Sequence, residues 1–74
     1  MARDQVRYAI ALVDRMTAQR ALASLGYDPG AADGLIGLKT RDALRAWQRA
    51  RGLTADGYLS TEVVRRLRTE TGAA

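Results

Sequence analysis

"DGLIGLKT", residues 33–40, is the stretch on which the reading of this chain turns. An Asp-Gly pair, two apolar residues and a second glycine stand directly before a helical run. A related phrase, "DGYLSTEV", returns 23 positions later at residues 56–63. An aspartate at the head of a turn accepts hydrogen bonds from amides just ahead of it, and glycine tolerates positive φ, so each phrase reads as a corner. In the first phrase Asp33 holds the turn, Gly34 supplies the positive φ, Leu35 and Ile36 turn into the core, and Gly37 caps the next helix. In the second, Asp56, Gly57, Tyr58 with Leu59, and Ser60 as cap take the same steps. Leu44 and Leu67 also match. One corner design launches two helices, and the chain contains a structural repeat.

Working outward, the spacing predicts three helices. The first lies within residues 4–25, with Asp4 as N-cap. Val6, Ile10, Val13 and Thr17 recur at helical spacing, and Ala18, Leu22 and Leu25 continue the stripe. Tyr8, Leu12 and Met16 form a second apolar row, so this helix either buries two sides or breaks near Met16. It stops at Gly26, where a left-handed glycine lets Tyr27 fold back onto Leu22 or Ala21. The second helix spans 38–51, with Ala43, Leu44, Trp47 and Ala50 inward and Arg41, Arg45 and Arg49 on another face. It stops at Gly52, and Leu53 folds back toward Trp47 by the same device. The third starts near Thr61, with Val63, Val64 and Leu67 inward. "TGAA", residues 71–74, reads as a frayed end.

Composition narrows the chemistry. The chain has 74 residues, no cysteine and no histidine. That length suits one domain near the lower limit for a self-supporting core. The missing residue types remove thiolate-metal sites, Ser/His and Cys/His dyads and imidazole bases. Paired carboxylates hydrolyse glycosides only within a cleft that raises one pKa, and a chain this short offers little room for one. Catalysis is therefore not expected, nor a cofactor or metal. No apolar run approaches the roughly 20 residues that span a bilayer, so membrane insertion is not expected. The N-terminus, with charges every few positions, is not a signal peptide. The net charge of +4 is carried by residues 36–52, where Lys39, Arg41, Arg45, Arg49 and Arg51 face a single acid, Asp42. An anionic partner should meet that segment first.

The ordered set of residues resembles the peptidoglycan-binding domain family of the small three-helix type. Its elements here are Ala18-Gln19, Leu22, Leu25-Gly26-Tyr27, Gly30, Asp33-Gly34 through Gly37 and Thr40, Ala43-Leu44, Trp47-Gln48, Gly52-Leu53 and Asp56-Gly57. The likeness covers about residues 16–68. It departs from the family pattern at Ala18, Leu38, Trp47 and Thr54, where a large apolar residue, Pro or Ser, Phe and Pro are usual. Such domains are appended to cell-wall hydrolases, amidases, endolysins and other envelope proteins. The resemblance therefore implies an all-α three-helix bundle with two Asp-Gly loops and an N-terminal helical extension. It divides the chain into an extension or linker at 1–15, the domain at 16–70 and the tail at 71–74. It further implies a non-catalytic module that binds peptidoglycan glycan or stem peptide and brings a fused or associated hydrolase or envelope protein to the wall. The location implied is the periplasm or cell wall, as part of an exported protein. Some relatives serve as interaction or pro-domains without binding glycan.

The candidate ligand surface combines Tyr27, Asp33, Leu35, Arg45 and Tyr58. Each also has a plainer reading. Asp33 and Asp56 read first as holders of their turns. Thr40 and Gln48 read as buried ties between a loop and the helices. Trp47 reads as core before it reads as a binding platform. Tyr27 and Tyr58 divide evenly between core packing and contact with a sugar face or peptide group. The Arg41, Arg45 and Arg49 row is either a solvated face or a set of guanidinium groups for stem-peptide carboxylates. Two other classes compete: a protein-interaction module using the N-terminal apolar surface, and a DNA-binding three-helix domain. The latter is disfavoured because Gln48 is the only base-reading type on the Arg-rich helix. The sequence leaves the oligomeric state open.

Overall fold

The computed structural model describes residues 11–72. Among them are three helices and no strand: α1, Leu12–Ser24; α2, Leu38–Ala50; and α3, Thr61–Thr71. The expected N-cap Asp4 and the apolar positions Val6, Tyr8 and Ile10 lie outside the described residues. α1 runs without a break through Met16.

Both glycine stops form. Beyond α1, Tyr27 N–H reaches back to Leu22 C=O at 2.8 Å and Gly26 N–H to Ala23 C=O at 3.0 Å, with Gly26 at φ +94°. Beyond α2, Leu53 N–H bonds Gln48 C=O at 2.9 Å and Gly52 N–H bonds Arg49 C=O at 3.2 Å. These reversals satisfy carbonyls that a helix end leaves orphaned, and they turn Tyr27 and Leu53 back against the core. The helix starts match the reading as well. Gly37 caps α2, and Ser60 caps α3 with its Oγ accepting Val63 N–H at 3.1 Å. Thr71 is still helical, and Gly72 closes α3 in the left-handed conformation.

α1 packs most extensively against α3 and less against α2. Leu22, Leu44, Trp47 and Leu67 are each fully buried at its centre. Each such side chain contributes about 1.5–3 kcal/mol by leaving water, enough together to hold a small domain. Asp14 of α1 and Arg68 of α3 form an ion pair that spans most of the chain's length.

Three packing expectations are corrected. Val13 is 60% exposed. The buried face of α1 is Ala18, Gln19, Ala21 and Leu22, and at about 100° per residue Val13 lies nearly opposite it. Ala50 is exposed as well. The buried set on α2 is Thr40, Ala43, Leu44, Trp47 and Gln48, which places Ala50 about 90° from its centre, at the edge. Leu35, expected in the core, is 72% exposed, whereas Ile36 packs against the core as expected.

Candidate functional site

The first corner is built from the backbone outward. Asp33 Oδ1 accepts Leu35 N–H at 2.9 Å. Gln19, fully buried on α1, accepts Gly34 N–H through Oε1 at 2.8 Å and donates Nε2 to Leu35 C=O at 3.0 Å and to Thr40 Oγ1 at 3.1 Å. Thr40 in turn donates to Pro29 C=O at 2.8 Å. Arg15 Nε donates to Gly34 C=O at 2.8 Å. With the Leu35 carbonyl drawn inward to buried Gln19 and its amide held in the turn by exposed Asp33, the side chain is directed outward. That is why it stands in solvent.

The second corner repeats the construction. Asp56 Oδ1 accepts Tyr58 N–H at 3.0 Å and Gln48 Nε2 at 3.0 Å, while Gln48 Oε1 accepts Gly57 N–H at 2.9 Å. These donors, the Tyr58 amide first, hold the Asp56 carboxyl below its ordinary range. Tyr58 takes the outward place that Leu35 has in the first corner and is 43% exposed, while Leu59 is buried. Arg45 lies across Gly57, where a Cβ would come within 3.0 Å of its Nε, and it pairs with Asp42 at 2.8 Å.

A third cluster closes the far end of α3. Trp47 Nε1 donates to Glu70 Oε1 at 3.2 Å, Arg51 pairs with the same carboxylate, and its guanidinium carbon sits 5.7 Å from the Trp47 ring centroid. Arg51, above all, holds Glu70 below its ordinary value, and Glu70 pushes Arg51 up, with Tyr27 adding to that shift. Trp47 is core, its polar edge satisfied inside the fold.

The candidate residues thus fall in three places. Asp33 and Leu35 share the first corner, and Arg45 and Tyr58 share the second. Tyr27 is half-buried near Arg51 and Glu70, while Tyr58 precedes the start of α3. Ten residues of helix at about 1.5 Å each separate those two ends. Asp33 and Asp56 both hold their own turns. Thr40 and Gln48 make the buried ties read from the sequence. The part of Gln19 was not read there. Its signal was a glutamine flanked by the buried alanines of an otherwise apolar face.

The chemistry available is recognition by exposed apolar, aromatic and cationic groups. Among the described residues no cluster of acids could hold a metal ion, and no helix is long and apolar enough to cross a membrane.

A family model described as a putative peptidoglycan binding domain matches residues 13–67. The chain belongs to this family. Both Asp-Gly corners fall inside the matched span of this peptidoglycan-binding domain, as does all of α2. The chain is 44% identical over 54 residues to the N-acetylmuramoyl-L-alanine amidase CwlM of Mycobacterium tuberculosis, covering 73% of this chain and 13% of that protein. It also resembles SltB3 of Pseudomonas aeruginosa, solved in complex with NAG-anhNAM-pentapeptide and with NAG-NAM-pentapeptide. Each superposition has a TM-score of 0.74 with 49% identity and covers 77% of this chain and 15% of that one. The domain therefore spans a small part of the length of these relatives.

Proposed function

We propose that this domain binds peptidoglycan without catalysis and holds an associated hydrolase or envelope protein at the wall. The observation that carries the reading is the family match over residues 13–67, which contains both corners. The solved complexes of SltB3 with disaccharide pentapeptides point to the same polymer. The proposed contacts are Tyr58, whose ring offers a face to a pyranose or peptide group; Arg45 beside it; and Leu35 with the outer carboxylate oxygen of Asp33. Tyr27, at the other end of α3, supports Arg51 and takes no ligand in this reading.

Asp28, Asp56 and Glu70, each held below its ordinary range by hydrogen-bond donors or a paired cation, do not suit the part of a general acid, which needs a carboxyl held above it. Binding through such shallow corners is weak alone and gains residence from tethering to a second site. The setting is the cell wall or periplasm of an exported protein.

Retention on insoluble peptidoglycan, measured across salt concentrations with duplex DNA in parallel, tests this function. Retention on wall and not on DNA supports it. Steeply salt-dependent retention on DNA alone favours a nucleic-acid reading, and self-association without binding to either polymer favours an interaction module.

A further inference from the structure

Beside Tyr58 the surface sinks into a trough along α3. One hollow of about 310 Å³ lies between Thr54, Asp56 and Tyr58 on one side and Val63 and Arg66 on the other. A second, of about 290 Å³, shares Glu62 and Arg66 with the first and runs on to Thr69 and Glu70. Arg66 stands where the two meet.

The three arginines of α3 are used differently. Arg65 pairs with Glu62, and Arg68 pairs with Asp14. Arg66 is exposed and makes no ion pair or hydrogen bond to another described residue. It only adds to the positive field around Glu70. Three carboxylates also line the trough, and each is engaged by another group: Asp56 by Tyr58 N–H and Gln48, Glu62 by Arg65, and Glu70 by Arg51. The Arg66 guanidinium, which lines the same hollow as Tyr58 and apolar Val63, is left for a carboxylate carried on a chain with apolar side groups.

We infer that this trough is the domain's stem-peptide subsite, with Arg66 taking a free peptide carboxylate and Tyr58 packing on the adjoining residue. The inference rests on the peptidoglycan-binding reading and adds which half of the polymer is held, and where. Two arguments favour peptide over glycan. In a peptide-bearing strand the lactyl carboxyl of the muramic acid is consumed in an amide, so the free carboxylates lie on the peptide. The dimensions also suit an extended peptide. Glu62 to Glu70 is eight helical steps, about 12 Å, which four extended residues span at about 3.3–3.6 Å each. A single ring such as Tyr58 offers a glycan only one platform.

The test titrates the isotope-labelled 74-residue chain with three probes and follows amide shifts. The probes are NAG-NAM-pentapeptide, the same compound with its peptide carboxylates amidated, and a peptide-free NAG oligosaccharide. The expected result is perturbation at Thr54, Tyr58, Val63 and Arg66 with the first probe and little with the third. Arg66→Gln should weaken the first probe about tenfold or more, as loss of a charge-assisted pair does. Amidation should weaken binding to the native chain similarly and leave Arg66→Gln without further loss. The amidated probe reads the same contact without touching the fold, so the test survives even if the variant is damaged. Pentapeptide shifts confined to the Leu35 corner, or equal affinity of the free and amidated forms, would overturn the trough while leaving wall binding intact. Failure of the native chain to bind either the pentapeptide or insoluble peptidoglycan would remove the underlying function as well.

Discussion

The side-chain carbonyl of Gln19 accepts the Gly34 amide at 2.8 Å across 15 residues of sequence, in a place closed to solvent. Gln48 does the same for Gly57 at 2.9 Å across 9 residues. Two glutamines on two helices thus pin two glycines, and each pin turns the next side chain outward. The surface assigned to ligand contact is a product of these buried amides.

Replacing Gln19 with Leu leaves the buried Gly34 N–H without its partner and takes one of two donors from Leu35 C=O, which keeps Gly37 N–H at 3.1 Å. An unmet buried polar group costs about 1–3 kcal/mol, so a loss of about 1–3 kcal/mol is expected. That is a large share of the total stability of a domain this size, about 4–11 kcal/mol at the usual per-residue range. Urea denaturation followed by circular dichroism measures it, and a loss under 1 kcal/mol would show that the pin is dispensable.

Gly34→Ala should cost more than Gly26→Ala. Both positions have positive φ, +83° and +94°, which costs an alanine about 1–2 kcal/mol. A Cβ at Gly34 would also stand 2.1 Å from Leu12 Cδ1, whereas at Gly26 it meets nothing within 4 Å. Leu12 is 53% exposed and can move, so the excess should be modest and should vanish in a Leu12→Ala background. Equal costs for both single variants would contradict this packing.

Acid should weaken the fold. Arg51 chiefly, and Trp47 less, hold the Glu70 carboxyl below its ordinary value of 4.5. A group depressed in the folded state contributes fully above its unfolded value and loses that contribution as pH falls through the folded one. Asp56 and Asp28 act with the same sign. Thermal midpoints should therefore fall below about pH 4.5, and Glu70→Gln should flatten that decline while lowering stability at neutral pH. With no histidine in the chain, no imidazole adds a slope between pH 6 and 8.

Trp47 is the chain's one tryptophan and is fully buried. Its emission should lie at short wavelength in the folded chain, resist aqueous quenchers and shift to the red on unfolding. Trp47→Phe keeps the aromatic bulk but loses the donor to Glu70, and a cost of about 1–3 kcal/mol is expected. Long-wavelength emission from the native chain would place the indole at the surface instead.

Tyr58→Ala and Leu35→Asn test the outward positions. Both side chains are exposed, and surface changes of this kind shift stability by about 0.5 kcal/mol or less. Retention on insoluble peptidoglycan should drop several-fold with Tyr58→Ala while the unfolding midpoint stays near that of the native chain. Unaltered retention in both variants would move the ligand surface elsewhere.

The helical architecture, the family and the places where the chain turns are all legible in the order of residues. Those signals are short-range. A glycine after the last apolar turn, an aspartate two residues ahead of the amide it accepts, and a Ser or Gly cap all act within a few residues, so their outcome survives without knowledge of the rest. Which way the residues between those signals face depends on how the helices pack. Helical spacing alone placed Val13 and Ala50 inward, but the buried faces are centred elsewhere on α1 and α2. Leu35 is apolar enough for the core, yet Gln19 claims its carbonyl from across 16 residues and turns it out. The joining of Trp47 to Glu70 across 23 residues and of Asp14 to Arg68 across 54 is likewise invisible to local pattern. Side-chain direction is settled by partners that become neighbours only once the helices have packed.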